Sequence, residues 1–273
     1  MQDVLNHPVI QGGVAPFLAA LIVVAMFRFV RLGGLAVVAG FATAVFLVSG
    51  FDFSPLTATR KIVLLGLVAP LVGMLIDFAF KPTRIGSVLI VFAGGAAAAW
   101  AFWSILVQKE LPDALMVGGL AAAFVAAATA IGLMLAAEPV RAGSAALTLG
   151  LSAGICAVLG ASALFGMYGI ALGAGAGAFL LLQMVTGKRI FAGMTFLLPA
   201  TLLSGLLGAG TMVLAKLPWY ALPALLLVPL ATLVPLPEKM PIWQQAVLRS
   251  VCAMLVAGVA FALTWRFAGK GIN

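Results

Sequence analysis

Seven acidic side chains in 273 residues leave few groups able to carry a proton, hold a cation or polarise a substrate. An ionisable group left unpaired in hydrocarbon is costly, so depth within an apolar run decides which of the seven is a candidate. Asp3, Asp52, Glu110, Asp113, Glu138 and Glu238 fall in loops or at the ends of such runs. Asp77 lies inside one, a turn before Lys81 and two turns before Arg84. Four residues of helix place Asp77 and Lys81 on one face, which predicts an interfacial ion pair. A coupling or substrate carboxylate is the competing reading of Asp77.

Other polar groups in apolar runs carry weaker chemistry. Gln183 is neutral and can hydrogen-bond a neighbouring helix. Thr195, Thr201, Ser204 and Thr211 cluster around Pro199, where hydroxyls often bond back to their own helix. If a substrate cavity exists, that helix is expected to form part of its wall. Asp77, Gln183, Thr195, Pro199, Thr201 and Ser204 are therefore the candidate substrate-binding residues. Arg249 enters the last apolar run by about a turn, and its long stem is expected to snorkel to the headgroups rather than hold a buried anion.

Catalysis finds little to work with. The chain has no GxSxG, no HExxH, no aspartate pair in facing runs and no phosphate-cradling loop with a lysine. His7 is the single histidine, and Cys156 and Cys252 stand alone in separate runs. A metal or haem site needs several ligands from one locality, so no metal and no cofactor is expected.

The elements that must position these residues are apolar helices. Hydrophobic residues make up 64% of the chain and charged residues 8%, against roughly 25% charged in a soluble domain. Lipid must be the solvent. The runs are long, continuous and rich in Ala, Leu and Gly, which excludes the alternation of a β-barrel strand. About ten spans are expected, near 14–30, 33–51, 61–80, 85–107, 114–137, 142–164, 166–187, 190–215, 218–236 and 246–266. The fold class is thus all-α, a polytopic membrane protein with one transmembrane domain over 1–273. The opening MQDVLNHP lacks a basic n-region and does not read as a cleaved signal.

Charge and aromatic placement fit that frame. The net charge of +8 comes from 15 Lys and Arg residues scattered at run ends. They suit anionic headgroups, not nucleic acid. Counting them by side puts nine with the first loop and six opposite, a weak bias toward both termini outside. Trp100, Trp103, Trp219, Trp243 and Trp265 fall near run ends, where indoles favour the interface. The expected location is a bacterial inner membrane, with lipids as partners. Gly150 to Gly154 and Gly173 to Gly177 are GxxxG patterns. They serve either packing within the chain or a homodimer or subunit face.

Two landmarks recur at nearly one offset. Arg60-Lys61-Ile62 with Pro70 is matched by Lys188-Arg189-Ile190 with Pro199, and Lys109-Glu110-Leu111-Pro112 by Glu238-Lys239-Met240-Pro241. This spacing suggests halves 1–137 and 138–273, each of five helices and therefore of inverted topology. Basic pairs and prolines also recur at helix ends for topology alone, so the sequence leaves both explanations open. Five plus five is similar in layout to the drug/metabolite transporter superfamily, in helix count and not in any motif. Three functions follow: a small secondary transporter or lipid-handling protein for a neutral or amphipathic substrate, a non-catalytic subunit of a larger membrane complex, or, opposed by the residue inventory, a membrane enzyme.

Overall fold

The computed structural model describes residues 7–80, 83–237 and 239–267. Ten helical segments follow one another among them: α1 (Ile10–Val30), α2 (Leu35–Val48), α3 (Ala58–Ala79), α4 (Arg84–Leu106), α5 (Leu111–Leu135), α6 (Pro139–Leu159), α7 (Ala163–Thr186), α8 (Gly193–Leu214), α9 (Ala221–Leu230) and α10 (Ile242–Phe267). The described residues contain no strand. Eight of these helices are long and apolar enough to cross a membrane.

The two shorter ones, α2 and α9, fall where the second and ninth spans were expected. The 14 residues of α2 reach roughly 21 Å at about 1.5 Å per residue, short of a hydrocarbon core near 30 Å. Gly33-Gly34 and Ser49-Gly50 trim it at both ends. In α9 the helix tightens into a 3-10 turn, Ala231–Leu233, just after the internal Pro229. Proline cannot supply an amide to the helix ladder.

Local chemistry explains most helix starts. Thr57 caps α3 by accepting from Arg60 N, Thr83 caps α4 through Gly86 N, and Ser162 caps α7 through Phe165 N. Glu138 caps α6 by accepting from Val140 N and Arg141 N, with Pro139 in the first turn. A side-chain acceptor satisfies first-turn amides that have no partner in their own helix. The start of α8 has no such residue: its N-cap is Ala192, with no side-chain bond.

α8 is the central helix. Every residue from Met194 to Thr211 is buried, and α2 to α7 all pack on it. Small residues let the backbones close. A Cβ on Gly150 would lie 2.8 Å from Gly173 N, and one on Gly154 2.7 Å from Ile170 N. These GxxxG glycines therefore join α6 to α7 inside the chain, while Gly205, Gly208 and Gly210 face Val125, Phe124 and Phe165. All five tryptophans are exposed near helix ends.

The expected halves meet along α3 with α8 and α2 with α7. Pro70 and Pro199 both sit inside helices, α3 and α8, and both are buried. The helices that a repeat would match differ in length, α2 from α7 and α4 from α9.

Candidate functional site

Asp77 supplies the cap that α8 lacks. It stands in the last turn of α3, and its Oδ1 accepts from Met194 N at 2.7 Å. Its Oδ2 accepts from Thr195 N at 2.8 Å and from Thr195 Oγ1 at 2.7 Å. A carboxylate at a helix N-terminus satisfies orphan amides and meets the positive end of the helix dipole. Two glycines make room for it. Gly193 turns the chain into α8 at φ +60, a left-handed conformation that side chains resist. Gly73 lets α3 approach, since a Cβ there would lie 2.5 Å from Met194 O. Lys81, the expected partner of Asp77, lies outside the described residues.

Of the six candidates, Asp77 and Thr195 are brought into direct contact, and the other four are not joined to them. Gln183 is fully buried, and its Oε1 accepts from Ile190 N at 3.3 Å, closing the α7–α8 loop. Its Nε2 has no hydrogen-bond partner. Thr201 Oγ1 donates back to Leu197 O at 2.8 Å, as does Thr211 Oγ1 to Leu207 O at 2.7 Å. Pro199 is packed within α8, and Ser204 Oγ is buried without a partner.

A second polar group assembles where α6 and α10 begin. Arg249 is 4% exposed and lies two turns into α10, because that helix starts at Ile242 rather than near 246. Its guanidinium, expected to snorkel to the headgroups, turns instead to a carboxylate within the chain. Nη1 bonds Glu138 Oε2, the carboxylate that caps α6. Arg141, in the first turn of α6, brings its Nε to 3.9 Å from the same oxygen. Neither Arg141 Nε nor Arg249 Nε has a hydrogen-bond partner. Arg189, exposed after α7, adds positive charge within electrostatic range of Arg249.

Sequence reasoning put Glu138 at a span end but not in a pair. The signal available was an acid directly before Pro139, which marks a helix start. It also passed over Lys61, which is buried against α4. Lys61 Nζ donates to Trp100 O at 3.1 Å and lies 5.1 Å from that indole.

An apolar groove opens below the Arg249 cluster. Leu147, Thr148, Leu151, Ser250, Val251, Met254 and Leu255 line about 300 Å³ between α6 and α10. Ser250 Oγ is buried there without a partner. A second groove of about 340 Å³, between α4 and α5, is lined by Ser87, Val88, Val91, Ala130, Leu133 and Met134. None of the six sequence candidates lines either groove. No protein-family model matches the chain, and no curated protein matches it.

Proposed function

We propose that this protein handles a lipid-like, amphipathic molecule within a bacterial inner membrane. The observation that carries the reading is the α6–α10 seam. An apolar groove there lies further along the two helices than a part-buried cluster of two arginines and a carboxylate. A molecule with an apolar tail and a polar end matches both parts of that surface, whereas a small hydrophilic solute matches neither wall of the groove. The lipid-handling form of this reading is better supported than an alternating-access carrier. The α3–α8 contact, where two halves would have to separate, is close-packed through Gly66 and Gly73.

The test is lipid analysis of the full-length protein purified in mild detergent. Wild type is expected to retain bound lipid, and Leu255→Trp, at an exposed position of the groove wall, is expected to lose it while keeping its unfolding temperature. Equal lipid content in both would sink the proposal.

A second reading is a non-catalytic subunit of a larger membrane complex, favoured by the side-chain-filled surroundings of α8. It predicts stoichiometric co-migration with fixed partners on native purification. A monodisperse chain that carries only lipid counts against it.

A further inference from the structure

We propose that the Arg141–Arg249 cluster recognises the phosphate of an anionic phospholipid, with one acyl chain lying in the α6–α10 groove. The inference rests on the lipid-handling reading and names its substrate class.

Charge balance points that way. Among the described residues, Arg141 and Arg249 face the one carboxylate of Glu138, which leaves a surplus positive charge, and Arg189 adds to it. Glu138 is already committed, because its two oxygens also accept from Val140 N and Arg141 N. It therefore cannot satisfy both guanidinium groups. Arg249 keeps an unpartnered Nε although only 4% of the residue is exposed. A buried donor without an acceptor is costly, and the cost is removed when an oxygen arrives. Arginine's planar fork suits phosphate oxygens in particular.

Geometry ties this donor set to the groove. Arg141 stands seven residues before Thr148, so the two share one face of α6 two turns apart. Arg249 stands at the level of Ser250 along α10 but about 100° round the helix from it, so Arg141 is the arginine on the groove side, and both Thr148 and Ser250 line the groove. The helices run side by side in the same sense, with Ser144 Oγ donating to Ala246 O at 3.4 Å. Arg141 therefore lies toward the helix starts, where a headgroup would sit, and Leu151, Met254 and Leu255 lie toward the middle of the helices. A phosphate with an attached chain fits this order of charge then hydrocarbon.

The experiment is native mass spectrometry of the purified full-length protein equilibrated with phosphatidylglycerol or with diacylglycerol of the same chains. Inorganic phosphate is added as competitor in a third arm. Phosphatidylglycerol is expected to be retained about tenfold better than diacylglycerol, the value of one charge-assisted hydrogen bond. Arg141→Gln, at a half-buried position that leaves the Glu138–Arg249 pair intact, is expected to erase that preference. Leu255→Trp is expected to weaken both lipids. Equal retention of the two lipids by wild type would overturn the phosphate assignment while leaving lipid handling in place. Release of phosphatidylglycerol by millimolar phosphate alone would overturn the lipid source in favour of a free-anion site. Retention of neither lipid would overturn both readings.

Discussion

The junction of α3 with α8 and the seam of α6 with α10 each hold an acidic group against a helix start, yet they are finished differently. At the junction every oxygen of the Asp77 contact has a donor, and glycines bring the backbones together around it. At the seam one carboxylate serves a helix start and two arginines, donors remain over, and the helices part to leave a groove. A satisfied polar group in a closed contact holds a fold together. Unsatisfied donors beside open space mark where a ligand can enter. Asp77, the one acid expected at depth, fastens two helices, whereas Glu138 and Arg249, which the sequence did not pair, meet beside the seam.

The largest effect that could break this contrast is at the seam itself. Glu138→Ala removes the carboxylate that pairs with Arg249 and uncaps α6, and is expected to destabilise the protein by about 3–5 kcal/mol. Unfolding in mild detergent with added denaturant measures it. The double variant Glu138→Gln with Arg249→Met is expected to recover most of that loss, because a well-packed neutral pair can match a buried ionic one. If the double variant is as unstable as the single, the seam is a fastening like the junction.

Asp77→Ala comes next, at about 2–4 kcal/mol, because it leaves the first amides of α8 without an acceptor. Asp77→Asn keeps one acceptor oxygen and is expected to cost about half as much. Phosphatidylglycerol retention is expected to be unchanged in both variants if they are assayed below their unfolding temperature. A selective loss of lipid there would erase the distinction between the two regions.

Gly73→Val is expected to cost about 1–3 kcal/mol by pushing α3 away from Met194. Thermal unfolding checks the cost, and groove binding is the readout that must stay constant. The smallest effect is at Ser204, whose hydroxyl is buried without a partner. Ser204→Ala is expected to be neutral or to stabilise by up to about 1 kcal/mol, since the hydroxyl carries a desolvation cost and no bond. A clear destabilisation would mean that Ser204 has an acceptor or ligand of its own.

The apolar helices were legible because hydropathy is local, and the caps, equally local, were not read. An apolar run of the right length declares a helix, and Thr57, Thr83, Glu138-Pro139 and Ser162 each stand where the next helix begins. The limits of α2 were misjudged because hydropathy counts its flanking glycines as part of the run, while the helix stops inside them. The recurring landmarks were visible as spacing, but spacing does not report environment. Lys61 is buried against Trp100, whereas Arg189, at the corresponding place, is exposed. Gln183, read as a neutral polar group in the seventh span, is buried, and its partner, Ile190 N, belongs to a loop that the sequence could not fold back.

By itself the sequence determined that this chain is helical, apolar and made for lipid, because hydropathy and helix length depend on neighbours a few residues apart. It also determined that ionisable groups would be few at depth. Only the tertiary structure decided which ones matter. Asp77 meets residues 117 and 118 positions away, and Arg249 meets Glu138 from 111 away. No local pattern encodes such pairs. They follow from which helix faces pack together, and small residues spread along the whole chain set that packing.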